Sequence, residues 1–413
     1  MIRPLSFTYA ALALCAALLA GCGDSSNSGN AVAAAAHAST PEQIARGRYL
    51  AKAADCVACH TVAGGAPFAG GVKLESPFGT FYGTNITPDP VHGIGKWSAA
   101  QFYDTLHDGV TPDKHLYPAM PYTSYRMMSR EDSDAIYAYL MAQKPAAVPN
   151  VEPSLKFPFN VRPAVRFWNM LFLKDTLPDA STGSSADWTR GRYLANALGH
   201  CAECHTSRGA FGQMDGAKTF LGSDLGRVVP PDITPAGLAA RGWNAADLQA
   251  FFATGMSAQG SAFGEMHSVV YLSSQHLSPD DLRAMSTYLL GDAPPAPAPA
   301  PVQGDITPWE TGRKVYLGVC AGCHGRVGEG RPHVAVSMQG STTVRSADPH
   351  NLIVAMLDGI GAADFPGTER LQDMPGFAKT LSDEELAQLA NYLRVNWGGQ
   401  PGDVTAATVK ALR

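Results

Sequence analysis

The sequence predicts an all-α protein built from three tandem domains, because the same set of segments occurs three times. Each copy opens with a helical stretch: GRYLAKAAD from Gly47, GRYLANALG from Gly191 and GRKVYLGV from Gly312. Each stretch runs into a Cys-x-x-Cys-His motif, and each copy closes with a second helical segment containing a Tyr-Leu pair. A chain of 413 residues that repeats in this way indicates several small helical domains rather than one large core.

The helices of each copy have start and stop signals. In the closing segments SREDSDAIYAYL, SPDDLRAMSTYL and SDEELAQLANYL, a serine is followed three residues later by Asp or Glu, which predicts a capping box at each helix start. A middle helix ends at LHDGV, FATGM and MLDGI, where the glycine is typical of a helix C-cap. The first two copies also share NITPD or DITPA and a tryptophan, Trp97 or Trp243, and the third copy is shorter.

These signals give the domain boundaries. We predict domain 1 at 41–145, domain 2 at 187–292 and domain 3 with a C-terminal extension at 305–413. Residues 293–304 are proline-rich and predict a semi-rigid spacer. The linker 146–186 contains FPFNVRPAVRFWNMLFL, which has two interpretations. It is either a strap that packs domain 1 against domain 2, or a contact surface for a partner subunit, a quinone or the membrane, with Arg162, Arg166 and Trp168 as polar and aromatic elements.

The N-terminus is a targeting segment. Residues 1–21 are predicted to be a lipoprotein signal peptide, because the short apolar run ends Leu-Ala-Gly before Cys22. Cys22 would then be acylated, with 22–40 as a tether. The alternative is an ordinary signal peptide that is cleaved near Ala36. The lipoprotein interpretation predicts a lipid-anchored protein on the periplasmic face of the bacterial cell membrane.

The cysteines are all accounted for without a disulfide. Of eight cysteines, Cys15 is lost with the signal peptide and Cys22 takes lipid. The remaining six form the three motifs: Cys56, Cys59, Cys201, Cys204, Cys320 and Cys323. The formal net charge of −5, with no dense Lys/Arg cluster, argues against a nucleic-acid partner.

The motif itself indicates covalent haem c. A zinc site would need two such pairs, and a thioredoxin-like dithiol would not need the histidine. In Cys-x-x-Cys-His, two thiols add across the two vinyl groups of one porphyrin edge, and the adjacent imidazole becomes the proximal iron ligand. We therefore predict three covalently bound haems c, each in a class I cytochrome c domain, with His60, His205 and His324 as proximal ligands.

The second axial ligands are predicted to be methionines. Met120 and Met374 each precede a proline, as distal-ligand loops often do. The second copy has no Met-Pro, but Met266 lies eleven residues after Gly255, as Met120 lies eleven after Gly109. His267 and His276 are nearby rivals, and any one methionine could instead fill the core.

Filled iron sites favour electron transfer over ligand activation, and the sequence offers no catalytic residues. The alternative from another class is a multihaem enzyme, peroxidase-like or a sulfur-compound oxidoreductase, with an open haem in domain 2. A stand-alone carrier without a dehydrogenase partner is a third possibility, which the aromatic linker disfavours.

With the haem motifs, LYPAMPYTSY, NITPD and the Tyr-Leu closing helices, the chain resembles the triple-haem cytochrome c subunit of bacterial membrane-bound dehydrogenases over Pro41–Arg413. The resemblance implies a periplasmic subunit that takes electrons from a quinoprotein, flavoprotein or molybdenum dehydrogenase acting on CH–OH or aldehyde donors. It would pass them to ubiquinone or the respiratory chain. Many members end in an amphipathic or membrane helix, whereas this chain ends VTAATVKALR, so we expect Cys22 to supply the anchor.

Overall fold

The computed structural model describes residues 39–367 and 369–413, and Ser39–Arg413 form one compact unit. The predicted signal peptide and lipidation site at Cys22 lie outside the described residues. The described part is mostly α-helical, as predicted, with nine short strands that the sequence did not indicate. None of its helices is long and apolar enough to cross a membrane.

The first copy consists of five helices and a small hairpin. The helices are α1 (Pro41–Ala53), α2 (Cys56–His60), α3 (Ala99–Asp108), α4 (Tyr122–Tyr125) and α5 (Arg130–Met141), and the hairpin strands are β1 (Lys73–Ser76) and β2 (Gly79–Tyr82). Strand β2 also pairs with β3 (Ser154–Leu155) of the linker, which gives a three-stranded antiparallel sheet in the order β1-β2-β3. The linker then forms helix α6 (Ala164–Phe172).

The second copy repeats this plan with more helical turns. Its elements are α7 (Ala186–Tyr193), a π-helical turn (Leu194–Leu198), α8 (Ala202–His205), a 3-10 turn (Gly216–Lys218), α9 (Pro235–Ala240), α10 (Ala245–Thr254), β4 (Met256–Ser257), β5 (Gly260–Ser261), α11 (Glu265–Leu272), a 3-10 turn (Ser274–His276) and α12 (Pro279–Leu290). Strands β4 and β5 form a short antiparallel hairpin.

The third copy has a longer distal segment with four short strands. Its elements are a 3-10 turn (Thr307–Trp309), α13 (Glu310–Val315), a π-helical turn (Tyr316–Cys320), α14 (Ala321–His324), α15 (His350–Asp358), β6 (Gly359–Ile360), β7 (Ala363–Asp364), β8 (Arg370–Leu371), β9 (Met374–Pro375), α16 (Asp383–Leu393), a π-helical turn (Arg394–Gly398) and α17 (Ala406–Leu412). Strand β6 pairs with β9, and β7 pairs with β8.

The same helix crossing recurs in all three copies, where the opening helix packs on the closing one as α1·α5, α7·α12 and α13·α16. A glycine lies at each crossing: Gly47, Gly191 and Gly312. A Cβ atom on any of them would overlap a backbone carbonyl of the closing helix and would come within 3 Å of the Cβ of Tyr139, Tyr288 or Tyr392, the tyrosine of the Tyr-Leu pair. The helices are therefore in backbone contact at this point, which only glycine permits.

The apolar cores of the first two copies are continuous. One cluster of buried side chains contains Leu50 and Leu140 from the first copy together with Leu194 and Leu289 from the second. The third copy has its own cluster around Ile353, and a small third cluster joins Val270 of the second copy to Phe365 of the third. The first two copies thus share a core, whereas the third contacts them over a smaller apolar area.

The predicted helix ends are present, with one instructive difference. Gly109, Gly255 and Gly359 end the middle helices with φ of 65°, 74° and 78°. Ser129, Ser278 and Ser382 each accept a hydrogen bond from the backbone N–H three residues on. The full reciprocal capping box of the closing helix forms only at Ser382 and Glu385. In the first two copies, the corresponding aspartates make other contacts, which are described below.

The linker 146–186 packs against both of the first two copies. Asn169 of α6 accepts a hydrogen bond from Tyr122 at 2.7 Å, and Trp168 donates to the Phe211 carbonyl at 2.9 Å. The opposite face of α6 is exposed: Phe167, Met170 and Leu171 keep 68%, 73% and 66% of their surface accessible. One face of this helix therefore contacts the first two copies, and the opposite face is exposed.

Candidate functional site

Each Cys-x-x-Cys-His motif adopts a helical turn directly after the opening helix. The first forms α2, the second runs from Cys201 through α8, and the third runs from Cys320 through α14. Residues three apart on a helix lie on the same face, so the two cysteines of each motif are directed to the same side. This arrangement suits two thioether bonds to one porphyrin edge.

The three motif histidines are held in a common orientation. The Nδ1 atom of His60 lies 2.6 Å from the Thr84 carbonyl oxygen, and that of His205 lies 2.8 Å from the Pro231 carbonyl oxygen. His324 makes a longer contact of 3.4 Å with Val336. A carbonyl accepts, so Nδ1 carries the proton and Nε2 keeps its lone pair for a metal. Burial lowers the pKa of all three imidazoles, which keeps them neutral and able to ligate iron.

Four of the motif thiols are not activated as nucleophiles: Cys56, Cys59, Cys201 and Cys320. Burial raises the pKa of Cys56 and Cys201 to about 12 and that of Cys59 and Cys320 to about 11. A redox-active dithiol needs a lowered thiol pKa, because the thiolate is the reactive form. The environment therefore disfavours the thioredoxin-like alternative and fits thiols that end as thioethers.

The structure places Met120 and Met266 in the same register relative to their helices. Beyond Gly109, Val110 bridges to His115, and the Leu116 N–H donates to the Gly109 carbonyl at 2.7 Å. Beyond Gly255, the same turn is built from β4 and β5, and the Ala262 N–H donates to the Gly255 carbonyl at 2.7 Å. Met120 lies four residues after Leu116, and Met266 lies four residues after Ala262. Both methionines pack against the core that the first two copies share. This equivalence supports Met266 as the counterpart of Met120.

The two rivals of Met266 have different surroundings. The His267 Nε2 atom lies 2.9 Å from the Asp364 carbonyl oxygen of the third copy, and its ring contacts Phe365. His276 lies largely exposed on a 3-10 turn, and the partial burial of its ring together with the nearby charge of Lys52 lowers its pKa. In the third copy, Met374 pairs with Ile360 at the C-terminal end of α15 and packs on the local core.

The first two motifs lie against each other's distal segments. Glu203, between Cys201 and Cys204, accepts hydrogen bonds from Thr123 at 2.6 Å and Ser124 at 3.1 Å, just beyond Met120. In the reverse direction, α11, which carries Met266, packs on α2. The two candidate haem sites are therefore neighbours across the boundary between the copies.

A pair of equivalent polar bridges fixes this boundary. Tyr49 donates to Asp281 at 2.5 Å, and Tyr193 donates to Asp132 at 2.6 Å. These tyrosines occupy the same position after the opening glycines, and the aspartates occupy the same position after the capping serines. Each of the first two copies thus donates a hydrogen bond from its tyrosine to the aspartate of the other copy, so the two contacts are equivalent. The role of these residues depends on contacts between distant segments, and the one signal for it in the sequence is that the third copy has Lys314 at the tyrosine position.

The third copy is joined to the second by polar contacts. Arg227 forms an ion pair with Asp358, and Asn351 and Val229 exchange two backbone-to-side-chain hydrogen bonds of 2.7 and 2.9 Å. Trp243 donates to Thr342 at 3.2 Å. The second cysteine is exposed in both the second and the third motif, at Cys204 and Cys323, and a Cβ atom on Gly322 would meet nothing within 4 Å.

A comparison with protein families identifies one matching family model. The model of cytochrome c oxidase, cbb3-type, subunit III matches residues 42–140 and 307–393, which contain the first and third motifs.

Relatives extend over nearly the whole chain. The alcohol dehydrogenase (quinone) cytochrome c subunit of Gluconacetobacter polyoxogenes is 35% identical over 445 aligned residues, which cover 100% of this chain and 91% of the relative. The gluconate 2-dehydrogenase cytochrome c subunit of Pantoea cypripedii is 38% identical, with 90% and 89% covered. One subunit of the nicotinate dehydrogenase of Pseudomonas putida is 40% identical over 85% of this chain, which spans only 30% of that longer protein.

Proposed function

Because this chain belongs to the family of cytochrome c subunits of dehydrogenases, we propose that it is the electron-transfer subunit of a periplasmic dehydrogenase complex with three covalent haems c. The threefold recurrence of an oriented Cys-x-x-Cys-His turn carries this proposal. Each turn follows a helix crossing of the same kind, and each copy supplies a core-packed methionine. We assign one class I cytochrome c domain to each copy.

Each copy contributes the same ligand set. The cysteine pairs would attach the porphyrin, and the histidines would present Nε2 to the iron. Met120, Met266 and Met374 would supply a sulfur ligand, which would raise the reduction potential relative to two histidines and favour electron transfer over the binding of small ligands. When bound, the haems supply reversible one-electron exchange, and the polypeptide fixes their ligands and spacing.

The packing of the copies favours a relay. The reciprocal contacts of Glu203 with the Met120 segment and of α11 with α2 bring the first two sites together. The third copy contacts the second through Arg227 and Asp358, and Cys323 of its motif is exposed. Electrons would enter from a catalytic dehydrogenase subunit and leave to ubiquinone. The names of the relatives favour a donor with a CH–OH group, and an aldehyde donor is also consistent.

The attachment to the membrane would have two parts. Acylation of Cys22 would anchor the chain to the periplasmic face, and α6 would lie on the bilayer. Phe167, Met170 and Leu171 share one exposed face of α6 at helical spacing, and Lys174 is exposed just beyond the helix end. Residues 156–174 contain four basic residues and no acidic one, although the whole chain is acidic. An exposed apolar face flanked by cations is typical of helices at anionic membrane surfaces.

The primary test is spectroscopy of the purified mature protein. We expect three haems per chain by haemochrome assay, three methionine–iron bands in the near infrared, and no carbon monoxide binding by the reduced form. In Met266→Ala, we expect one band fewer and one carbon monoxide bound per chain, because one iron position is opened. Two bands with stoichiometric carbon monoxide binding in the unmutated protein would overturn the Met266 assignment and favour the multihaem enzyme with an open haem in domain 2.

The membrane contact can be tested without the lipid anchor. In a Cys22→Ser background, replacing Phe167, Met170 and Leu171 with serine should weaken binding to phosphatidylglycerol vesicles at least tenfold, because apolar burial supplies most of the attraction. The matched control replaces Val91, Val302 and Val327, which are also exposed. Equal loss in both triple variants would show that α6 is not the contact surface.

A further inference from the structure

A short hairpin of the third copy lies against the second copy. Strands β7 and β8 form this hairpin, and Phe365 follows β7 directly. Phe365 is buried, with 4% of its surface exposed, and it forms one apolar cluster with Ala262 and Val270 of the second copy. Met266 packs against the same cluster. A side chain of the third copy thus belongs to the surroundings of a predicted iron ligand in the second copy.

The contacts of the third copy reach both ends of the segment that leads to Met266. At the start of this segment, a Cβ atom on Gly255 would lie 2.7 Å from the Phe365 ring, so the ring lies directly against the backbone there. At its end, the same ring meets His267 edge to face, with ring centroids 5.0 Å apart. The His267 Nε2 atom also donates to the carbonyl oxygen of Asp364 at 2.9 Å, since a carbonyl oxygen can only accept. The hairpin therefore fixes both ends of the segment.

The first copy fills the equivalent position from its own chain. A Cβ atom on Gly109 would lie 2.7 Å from the ring of Tyr122, a fully buried residue that lies two positions after Met120. The corresponding residue of the second copy is Ser268, which has no ring. Phe365 thus supplies from the third copy the aromatic contact that Tyr122 makes within the first copy.

The third copy is longer at the point from which this contact is made. Met374 follows Gly359 by fifteen residues, whereas eleven residues separate the equivalent glycine and methionine in each of the first two copies. The longer stretch contains strands β7 and β8 and carries Phe365 between them. The additional length of the third copy therefore accommodates the hairpin that reaches the second copy.

We propose that Phe365 is a positioning residue for Met266, so that methionine ligation at the second haem is completed by the third copy. This inference rests on the proposed function, since it requires haem at the second motif with Met266 as its ligand. Met266 lies in the first turn of α11, which begins after Gly264 and therefore has no capping side chain. Because local capping does not hold this turn, its position depends on what packs against it. Without the Phe365 ring, the turn would lose its packing and the sulfur would leave the iron.

The test is spectroscopy of Phe365→Ala in the full haem-loaded chain. We expect all three haems to stay attached, one methionine–iron band in the near infrared to be lost, and the reduced form to bind carbon monoxide at one haem. A merely structural role would lower stability but would leave the three bands of the folded protein unchanged. The matched control is Arg227→Gln, which removes the ion pair with Asp358 between the same two copies and keeps the surroundings of Met266. We expect all three bands in this control.

Three bands without carbon monoxide binding in Phe365→Ala would overturn the inference and leave the proposed function intact. Equal loss of a band in Arg227→Gln would also overturn it, because a general loosening of the boundary, rather than the missing ring, would then be the cause. Fewer than three methionine–iron bands in the unmutated protein would instead defeat the ligand assignment in the proposed function, and the inference with it.

A conservative variant covers the case in which Phe365→Ala does not accumulate. Phe365→Leu keeps the buried apolar contact but fills only part of the space of the ring. The sulfur ligand of the second haem should then be displaced more easily, so we expect imidazole to bind one oxidised haem about tenfold more tightly than in the unmutated protein. Imidazole binding to Phe365→Leu that equals binding to the unmutated protein would overturn the inference.

Discussion

Replacing Gly312 with alanine is expected to destabilise the third copy by about 3 kcal/mol, since overpacking against backbone is among the costlier substitutions. The new Cβ would overlap the Gln388 carbonyl and would lie 2.9 Å from the Cβ of Tyr392. Neither obstacle is a flexible side-chain end, so the two helices must separate. Because this crossing fixes the turn that leads to Cys320, we also expect less haem attached at the third motif. Urea unfolding and the haem content per chain measure the two effects.

Gly318 provides a matched control for this prediction. It lies six residues further along the same helical segment, and a Cβ atom there would meet nothing within 4 Å. Gly318→Ala should therefore leave stability unchanged or raise it by about 0.5 kcal/mol, because alanine loses less backbone entropy on folding. Equal destabilisation by Gly312→Ala and Gly318→Ala would mean that the backbone contact at the crossing is not what holds these helices together.

These crossings show how far the sequence alone could lead. The repeated opening and closing helices were predictable, and so were the glycines that end the middle helices, because both follow local rules of capping and periodicity. That Gly47, Gly191 and Gly312 mark the points of closest approach depends on tertiary packing. A glycine inside each of three predicted helices was nevertheless a signal, since glycine is otherwise unfavourable there.

The diverted capping residues illustrate what sequence reasoning could not reach. Ser382 and Glu385 form the predicted reciprocal box, but Asp132 and Asp281 direct their carboxylates to an arginine and a tyrosine. An aspartate is one methylene shorter than glutamate, and the competing partners come from distant parts of the chain. The serine and acidic residue three positions later predict the helix start correctly in all three copies. The contacts of the acidic side chain depend instead on the residues that a neighbouring copy places beside it.

Asp281 leads to the second large effect that we expect. Its carboxylate accepts hydrogen bonds from Arg190 at 2.8 and 2.9 Å and from Tyr49 of the first copy at 2.5 Å. Asp281→Asn removes the charge and leaves Arg190 and Tyr49 with a weaker acceptor. The Arg190 side chain keeps 39% of its surface exposed, so solvent screens part of the ion pair. We therefore expect Asp281→Asn to lower the free energy of unfolding by about 2 kcal/mol at pH 7. This is at the lower end of the range for removing one partner from a charged hydrogen-bond network.

The effect should depend on pH in a defined direction. Burial alone would raise the pKa of Asp281, but the hydrogen bonds from Arg190 and Tyr49 outweigh it and hold the pKa below its usual value. A lowered pKa in the folded state contributes stability above the unfolded value, about 3.9, and this contribution is lost as pH falls through the folded value. The difference in unfolding free energy between the unmutated protein and Asp281→Asn should therefore shrink below about pH 4.

Two neighbouring aspartates make this prediction specific to the bridge between the copies. Asp280 has a side chain that is 81% exposed, and its ion-pair partner in the described part of the chain is Arg283, so Asp280→Asn should cost less than about 0.5 kcal/mol. Asp132 is the counterpart of Asp281 in the first copy, but its partner Arg46 is 52% exposed, so Asp132→Asn should fall between the two. The expected order of urea midpoints, from highest to lowest, is Asp280→Asn, Asp132→Asn, Asp281→Asn. An order in which Asp280→Asn costs as much as Asp281→Asn would show that general surface charge, rather than the paired tyrosine–aspartate bridges, sets the stability of this boundary.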